Sequence, residues 1–460
     1  MQTLEIKEIN HRLGHWAEEA FFYHVYPLGM CEAPARAGDE TGCVGRLEQL
    51  YAWIPYWQEL GVDAILLGPI FASGSHGYDT SDFFRIDPRL GDANGFAGLV
   101  AALHRGGIKV VLDGVFNHVG RDFWAFRDVC ADPEGSPYRD WFHLSTGRSA
   151  DGDPFAYACW EGHQNLVRLN HGQAQVREHL LAAVSHWISD FGIDGLRLDV
   201  AYCLDPDFLT ALAAHCRGLK PDFWLMGEII HGDYRPLLSK LDSVTNYECH
   251  KGLWSSHKDR NCFEIAHSLQ RHFGPGGISK GRALFNFADN HDVDRVASRL
   301  PDPAQLFSLY LLLLTMPGVP SLYYGSELGL TGSKAQSDDA PLRPPLAIDD
   351  AVAAAQRSSL FAWISKLAAI RRRLPALQSG AYQELAIRSE QFAFARETAD
   401  SVCIAAINLS GQPASLRLDR MPQGQAYGLW RDLLEPAFVC EPAAGLNLPP
   451  HGGRILVPAG

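Results

Sequence analysis

The chain lacks the features of proteins that bind nucleic acids or membranes. Lys and Arg number 40 against 53 Asp and Glu, which gives a net charge of −13 at pH 7. Nucleic acids and anionic lipid surfaces are bound by basic surfaces, so this balance argues against both as partners. The apolar run "LYLLLLTM" is far shorter than the roughly 20 residues that cross a bilayer. A neutral ligand such as a sugar is compatible with this composition.

Paired cysteines and a secretion signal are also lacking. Ten cysteines are scattered from Cys31 to Cys440, and no two of them form a C-x-x-C pair. The first residues, "MQTLEIKEINHRLGHW", carry charges where a signal peptide needs an apolar stretch. The cysteines are therefore expected to be reduced thiols. We predict a cytoplasmic protein.

Short apolar strands alternate with amphipathic helices over roughly the first 370 residues. The predicted strands are "AFFYHVYPLG", "VDAILLGPI", "IKVVLDGVF", "IDGLRLDVAY", "FWLMGEII", "ALFNFAD" and "PSLYYG". Helices are predicted over "GRLEQLYAWIPYWQELG" and at Phe96, Leu99, Val100 and Leu103, which recur at i, i+3, i+4 and i+7. Repeated β-then-α units indicate a parallel sheet covered by helices. Their number favours a closed (β/α)8 barrel, an α/β fold.

Two stretches break this alternation. Residues 117–172 are rich in aromatic side chains, Trp160 among them, and a long insertion of this kind is usually functional. We expect it to narrow a binding cleft. Towards the C-terminus, stretches such as "SVCIAAINLS" alternate like the strands of a β-sandwich. The predicted domains are a barrel over 1–116 and 173–378, an inserted domain over 117–172, and a C-terminal antiparallel β-sandwich over 379–460.

Acidic residues follow five of the predicted strands. They come with His, Tyr or Arg neighbours in "SHGYDT" (Tyr78, Asp79), "LDGVFNH" (Asp113, His118), "GLRLDV" (Arg197, Asp199), "GEII" (Glu228) and "FADNHD" (Asp289, His291, Asp292). A helix cap or a loop hydrogen bond explains any one of them. Because the carboxyl ends of barrel strands meet at one face, their recurrence predicts a shared site there.

Several carboxylates with one arginine suit retaining glycoside hydrolysis. This reaction needs a nucleophilic carboxylate and a second carboxyl that acts as acid and then base, about 5–5.5 Å apart. Arg197 shares a strand face with Asp199 and is expected to keep it ionised by lowering its pKa. The apolar residues before Glu228 favour a protonated carboxyl, as a general acid requires. A structural ion pair is the simpler alternative for Arg197 and Asp199 taken alone.

Metal-assisted hydrolysis is the other chemistry that such residues allow. His and Asp are metal ligands, but these motifs contain no H-x-H, no H-E-x-x-H and no i, i+4 pair of histidines. We therefore expect no catalytic metal.

At these residues the sequence resembles the α-amylase family of retaining glycoside hydrolases (glycoside hydrolase family 13). "DGVFNH", "GLRLDV", "GEII" and "FADNHD" are similar to the four main family signatures, in order, and "SHGYDTSDFFRIDPRLG" and "MPGVPSLYYGSELG" are further family-like stretches. The resemblance implies a (β/α)8 barrel, a domain B after strand three and a C-terminal β-sandwich. By motif position it implies Asp199 as nucleophile, Glu228 as acid/base and Asp292 as the third carboxylate, which binds and distorts the sugar.

The same resemblance implies further sugar-binding residues. They are Tyr78, which stacks on the sugar ring, Asp113 as a supporting residue, His118 and His291 for hydroxyl groups, Arg197 as partner of the nucleophile, and Arg343 of "DDAPLRPP" as an additional arginine.

One departure from the family bears on calcium. In calcium-dependent amylases the second signature continues with Lys and His, whereas here Tyr202 and Cys203 occupy those places. Asn117 keeps a position that contributes to the family's calcium site. The departure argues against the usual structural calcium, and we expect no cofactor.

The stretch "GHQNLVRLNH" resembles the cyclomaltodextrinase/neopullulanase-like branch that degrades oligosaccharides. The chain begins almost at strand one, so we expect no N-terminal carbohydrate-binding domain of the kind found there. The resemblance predicts hydrolysis of α-1,4 bonds, with α-1,6 bonds as an additional candidate, in malto-oligosaccharides or cyclic dextrins. A 4-α-glucanotransferase is the alternative on the same scaffold. An inactive binding relative is less compatible, because all three carboxylates are present. A homodimer is one candidate for the oligomeric state.

Overall fold

Eight parallel strands form the centre of the molecule. The computed structural model describes residues 15–38, 42–149, 151–335, 338–422 and 428–459. The central strands are Phe22–Val25 (β1), Ala64–Leu67 (β2), Lys109–Gly114 (β3), Gly195–Leu198 (β4), Trp224–Gly227 (β5), Ser243–Val244 (β6), Phe285–Phe287 (β7) and Val319–Tyr323 (β8). They pair in the order β6-β5-β4-β3-β2-β1-β8-β7. A parallel bridge between Thr245 and Phe285 joins β6 to β7, so the predicted (β/α)8 barrel is confirmed.

Strand β6 is the one barrel strand that the sequence pattern did not predict. It contains only Ser243 and Val244, and two residues cannot display a period of two. Its pairing with β5 begins at Met226. The chain leaves β6 through Thr245 and Asn246 into a helix that starts at Tyr247. This short strand therefore places Tyr247 at the carboxyl face of the barrel.

Helices cover the outside of the barrel. They are Trp16–Glu19, Pro27–Met30, Ile54–Leu60, Ala93–Arg105, Trp124–Ala131, Ala174–His186, Pro206–Leu219, Arg235–Leu238, Tyr247–Asp259, Phe263–Phe273, Val296–Arg299, Gln305–Thr315, Ile348–Ala355, Ser359–Arg373 and Pro375–Ser379. The helix predicted around Phe96 is confirmed, and Asp92 caps its N-terminus through the Gly95 N–H. Among the described residues, no helix has the length and apolarity to span a bilayer.

One predicted helix divides in two. Residues 45–61 form a 3-10 helix, Arg46–Trp53, followed by the α-helix Ile54–Leu60. Pro55 lies at the start of the second piece, where its missing N–H costs no hydrogen bond. The α-helix ends at Gly61, whose φ of 89° suits glycine.

The insertion after β3 has its own secondary structure. His118–Gly120, His163–Arg168 and Cys159–Trp160 form a three-stranded antiparallel sheet, and Leu144–Ser145 pairs with Ala156–Tyr157. Most of its aromatic rings are buried, namely Phe123, Phe126, Trp141, Phe142, Phe155 and Tyr157. Trp160 is half-buried and stacks on His163, with 5.3 Å between ring centroids. The aromatic residues of the insertion thus serve mainly to pack it.

The C-terminal region is a β-sandwich, as predicted. Its strands are Ala381–Ile387 (β9), Gln391–Glu397 (β10), Val402–Asn408 (β11), Ala414–Leu416 (β12), Trp430–Asp432 (β13), Val439–Cys440 (β14), Leu446–Leu448 (β15) and Gly453–Pro458 (β16). Six form one sheet in the order β9-β10-β11-β16-β13-β14, and β12 pairs with β15. Leu416 and Leu446 of the small sheet share a core with Ile404 of the large one. The opposite face, with Phe392, packs into the core of the barrel.

Candidate active site

Parallel pairing brings the predicted polar residues to one face of the barrel. Arg197 in β4 pairs with Asp113 in β3 and with Met226 in β5. Asp199 follows β4 directly, and Glu228 follows β5. Their backbone N–H groups continue the ladder, since Asp199 donates to Gly114 (3.1 Å) and Glu228 donates to Leu198 (2.9 Å). The two carboxyl groups therefore leave neighbouring strands at almost the same level.

The Arg197 guanidinium is the centre of the site. Its Nη1 donates to both carboxylate oxygens of Asp113, each at 2.7 Å, and to Asp199 Oδ1 at 2.9 Å. Its Nη2 lies 2.7 Å from Glu228 Oε1. All four side chains are buried. A single positive charge is thus shared by three carboxyl groups.

The backbone turns sharply between the two catalytic candidates. Val200 has a φ of 39°, in the left-handed region that β-branched residues rarely adopt. This conformation directs its N–H to Glu228 Oε2, 3.0 Å away. Backbone strain of this kind is typical of active sites, where the surrounding structure maintains it.

The protonation of Asp199 differs from the sequence prediction. We expected Arg197 to lower the pKa of Asp199. Instead, burial raises the pKa of Asp199 well above its ordinary value, and Glu228 and Asp113 add to the effect, although Arg197 opposes it. Arg197 does lower the pKa, as predicted, but the prediction left out burial, which is the largest cause, and the neighbouring carboxyls, so the net direction is the opposite of the one expected.

A second group of residues lies across the cleft. His291 Nε2 is 3.0 Å from Asp292 Oδ2 and also hydrogen-bonds the Tyr78 hydroxyl, which donates to Asp113 at 2.9 Å. Arg343 Nη2 donates to Asp292 Oδ1 at 3.1 Å. Burial raises the pKa of Asp292, but the His291 and Arg343 charges more than offset this and hold it well below its usual value. Its side chain is 39% exposed, so this anion faces the cleft.

His118 reaches the site from the insertion. Its Nε2 lies 4.0 Å from Asp199 Oδ2, is buried and has no hydrogen-bond partner among the described residues. Burial lowers the pKa of His118 to about 3, so the ring is neutral at physiological pH. A neutral, unpaired ring nitrogen can bind a hydroxyl group of a ligand.

Not every acid at the strand ends belongs to the site. Asp289 accepts hydrogen bonds from the Ser326 hydroxyl and the Val296 N–H, so it anchors neighbouring loops. Asp79 accepts from Ser75. For these two residues the loop hydrogen bond, the simpler explanation, is correct.

Sequence reasoning missed Tyr247, which joins the site from the end of β6. Its hydroxyl donates to Glu228 Oε1 at 3.3 Å and accepts from Asn290 Nδ2 at 3.2 Å. Tyr26 was also missed; its ring is parallel to His291 and lies under the Arg343 guanidinium, 4.6 Å away. The signal for Tyr247 was its place after a barrel strand, but that strand is too short to recognise.

Asn117 is buried at the start of the insertion, next to His118. Asn117 Oδ1 is buried and has no hydrogen-bond partner among the described residues. Calcium takes six to eight oxygen ligands, with carboxylates prominent among them. Over the described ranges, no group of three or more His, Cys, Asp or Glu side chains could hold a metal ion. Tyr202, in the place of a family calcium-site neighbour, turns its hydroxyl to Glu161 instead, at 3.3 Å.

Comparison with known proteins identifies the family. Residues 34–344 match the family described as "Alpha amylase, catalytic domain". The chain belongs to the α-amylase family. It is 32% identical to a cyclomaltodextrinase of Geobacillus thermopakistaniensis (strain MAS1) over 95% of this chain and 76% of that protein. It is 31% identical to neopullulanase 2 of Thermoactinomyces vulgaris over 96% of this chain and 78% of that one.

Solved structures agree with this assignment. A cyclic α-maltosyl-(1→6)-maltose hydrolase from Arthrobacter globiformis superposes with a TM-score of 0.81 at 27% identity. The match covers 97% of this chain and 100% of the hydrolase. The protein is therefore a glycosidase of the α-glucan-hydrolysing α-amylase family, as the sequence predicted.

Proposed function

We propose that this α-amylase-family protein is a retaining hydrolase of malto-oligosaccharides or cyclic dextrins that works through a covalent glycosyl-Asp199 intermediate. The main bond that it hydrolyses is the α-1,4 glucosidic bond, and the α-1,6 bond is a second linkage that it cleaves. The observation that carries the proposal is that one guanidinium contacts both Asp199 and Glu228. Retention needs two carboxyls about 5–5.5 Å apart, whereas inversion leaves about 6.5–9.5 Å for a water molecule. A shared guanidinium favours the shorter separation.

In the first step Glu228 gives its proton to the glycosidic oxygen while Asp199 attacks the anomeric carbon. The bond from that carbon to the leaving oxygen breaks, and an ester to Asp199 forms. Arg197 binds Oδ1 of Asp199, so Oδ2, on the side of His118, is the attacking oxygen. In the second step Glu228 takes a proton from water, which attacks the same carbon and releases Asp199.

A proton must be on Glu228 when the reaction begins. In the ligand-free site burial favours a protonated Asp199. A bound sugar offers hydroxyl donors to Asp199 and a glycosidic oxygen that accepts a hydrogen bond from Glu228. The hydroxyl donors favour the charged form of Asp199, because hydrogen bonds to a charged carboxylate stabilise it. Substrate binding thus prepares the acid and the nucleophile together.

The opposite wall holds the sugar that is cleaved. Asp292 is anionic and faces the cleft, so it accepts from hydroxyl groups and stabilises positive charge at the anomeric carbon. His118 and His291 supply ring nitrogens for further hydroxyls, and Tyr78 supplies a flat ring. Arg343 holds Asp292 in place.

Short or cyclic substrates are supported by the relatives. The similar proteins carry the names cyclomaltodextrinase and neopullulanase, and the similar structure is a hydrolase of a cyclic tetrasaccharide of maltose units. The 4-α-glucanotransferase shares the first step and differs only in passing the sugar to another sugar. The predicted homodimer and cytoplasmic location stay predictions.

Product analysis tests this function. We expect maltotriose, β-cyclodextrin and pullulan, incubated side by side, to yield glucose, maltose or panose-like fragments, with the α-anomer as the first product in proton NMR spectra. Products longer than maltotriose as the main outcome would make the protein a transferase. The β-anomer as first product would exclude a covalent intermediate. Glu228→Gln serves as the control for background hydrolysis.

A further inference from the structure

Tyr247 is a half-buried residue between two loops of the active site. It begins the helix Tyr247–Asp259, immediately after β6. Its hydroxyl lies between Glu228 Oε1 (3.3 Å) and Asn290 Nδ2 (3.2 Å). Its ring packs edge-on against Phe287 of β7, with centroids 5.0 Å apart. Contacts on the ring and the hydroxyl therefore fix its position.

The direction of the hydroxyl proton follows from Asn290. The Asn290 side-chain oxygen accepts the N–H groups of Asp292 (2.8 Å) and Val293 (3.2 Å). These two donors identify the oxygen, so the other atom is the amide nitrogen, which donates to Tyr247. The Tyr247 oxygen is thus an acceptor for Asn290, and its own proton points to Glu228.

We propose that Tyr247 is a positioning residue for Glu228, whose carboxyl it holds in place for proton transfer through a donated hydrogen bond. Asn290 connects this hydrogen bond to the loop that carries Asp292. The inference rests on the proposed role of Glu228 as acid/base. It adds a residue whose position the sequence motifs did not indicate.

The remaining partners of Glu228 explain why this contact matters. Arg197 shares Oε1 with Tyr247, and the Val200 N–H binds Oε2. When the proton leaves, negative charge develops on the carboxyl, and an already oriented donor stabilises it without reorganisation. Arg197 divides its charge among three carboxyls, so a neutral donor committed to Glu228 adds to it. The other titratable or charged groups around this pair are Asp113, Asp199, Asp292, Tyr202 and His250.

Two substrates that donate the same maltosyl group through different leaving groups test the proposal. The sugar that leaves maltotriose must be protonated, whereas fluoride leaves α-maltosyl fluoride without help. We expect Tyr247→Phe to lower kcat/KM for maltotriose about tenfold or more and that for α-maltosyl fluoride less than about threefold. The alkaline limb of the maltotriose pH profile should move to higher pH, because losing a donor disfavours the carboxylate.

Tyr234→Phe is the matched control. Tyr234 lines the same cavity of about 680 Å³ as Tyr247, but its hydroxyl accepts only the Glu248 N–H, at 3.4 Å, among the described residues. We expect this variant to change both rates less than about twofold, since its hydrogen bond does not reach a carboxyl of the site.

Glu228→Gln separates the proposal from the function on which it rests. We expect it to lose activity on maltotriose and to spare the first step with the fluoride. If it does so while Tyr247→Phe slows both substrates equally and leaves the pH profile unmoved, Tyr247 is structural only and the inference is overturned. If Glu228→Gln itself slows both substrates equally, the acid/base assignment is wrong. The inference about Tyr247 is then wrong as well, because it rests on that assignment.

Discussion

Two of the buried arginine clusters in this protein have different hydrogen-bond partners. At the mouth of the barrel, the described contacts of Arg197 are with the carboxyls of Asp113, Asp199 and Glu228. Where the barrel meets the β-sandwich, Arg371 donates to the backbone carbonyls of Leu314, Leu377 and Gly318, and Arg396 to those of Gly380 and Thr315. No carboxylate contacts either of these two within the described part of the chain.

The pKa values follow this difference. Burial acts to lower the pKa of Arg197, but its carboxylates raise it well above the ordinary value. Burial lowers the pKa of Arg371 to about 9 and that of Arg396 to about 10. Leu314 and Thr315 supply carbonyls at the C-terminus of the helix Gln305–Thr315, which carries partial negative charge.

In this fold, carboxylates around a buried arginine serve chemistry, and backbone carbonyls are enough where the arginine is structural. A helix end is sufficient to accommodate a buried guanidinium where only structure is needed. Three carboxyls around one guanidinium are more than a single positive charge can balance. This surplus is what acid and nucleophile chemistry needs.

The largest expected effect comes from removing one carboxylate at the mouth. Asp199→Asn should lower kcat about 10⁴-fold, because an amide cannot form the glycosyl ester. The melting temperature should not fall, since the Asn side chain has nearly the same shape as Asp199 and its oxygen can still accept from Arg197. Steady-state kinetics on maltotriose and calorimetry measure the two quantities.

Asp289→Asn is the matched control. This buried carboxyl also follows a barrel strand, but it binds Ser326 and the Val296 N–H. We expect kcat per folded molecule to remain within a fewfold of the parent. Equal losses for Asp199→Asn and Asp289→Asn would contradict the distinction between a reacting and a structural acid.

Where the barrel meets the β-sandwich, removing an arginine should lower stability and leave turnover unchanged. Arg371→Met should reduce the free energy of unfolding by about 2–3 kcal/mol, because it leaves buried carbonyls without donors. The kcat of the folded enzyme should not change. Urea unfolding measures the stability, and kinetics at urea concentrations below the unfolding transition measure the turnover. A variant with full stability and impaired turnover would contradict the structural role of Arg371.

Much of the fold and the polar residues of the site could be predicted from the sequence. Arg197 and Asp199 interrupt an apolar strand at fixed spacing, Asp113 lies near the end of β3, and Glu228 and Asp292 follow strands of the same barrel. The direction of the Asp199 pKa could not be predicted, because it depends on how deeply the carboxyl is buried and on which other carboxyls lie near it in space. Tyr247 could not be predicted, because a two-residue strand leaves no periodic signal.

Buried histidines give a smaller, pH-dependent effect, one at the mouth of the barrel and one at the N-terminal end of the helix Gln305–Thr315. Burial lowers the pKa of His118, at the mouth, to about 3 and that of His257, beside the helix Gln305–Thr315, to about 4. The unfolded chain then binds more protons below about pH 6.5, so each should cost about 1–2 kcal/mol of stability by pH 5. The contribution of these two histidines to the free energy of unfolding should fall from pH 7 to pH 5.

His257→Gln should have lower stability at pH 7 but a shallower decline towards pH 5. The exposed His231→Gln is the control and should keep the parental slope. A slope unchanged in His257→Gln would mean that this ring does not resist protonation in the folded protein.

The smallest effect is expected at the edge of the cleft. Trp160 is half-buried beside His118, with ring centroids 5.9 Å apart. Trp160→Ala should change the ratio of kcat/KM for maltotriose and longer maltodextrins by about threefold to tenfold, since an aromatic face in a cleft contributes about 1 kcal/mol. Trp124→Ala, in the same insertion but 38% exposed and packed on Tyr138, should leave the ratio unchanged. If the ratio of kcat/KM values is unchanged in both variants, these aromatic residues of the insertion do not contribute to substrate selection.

The central claim is that Asp199 becomes bonded to the sugar. A mechanism-based 5-fluoro-α-glucosyl fluoride slows release of the intermediate, and peptide mapping by mass spectrometry then locates the attached sugar. We predict one fluoroglucosyl group on the peptide that contains Asp199, at the carboxylate of that residue. An adduct on Glu228, Asp113 or Asp292 would contradict the account.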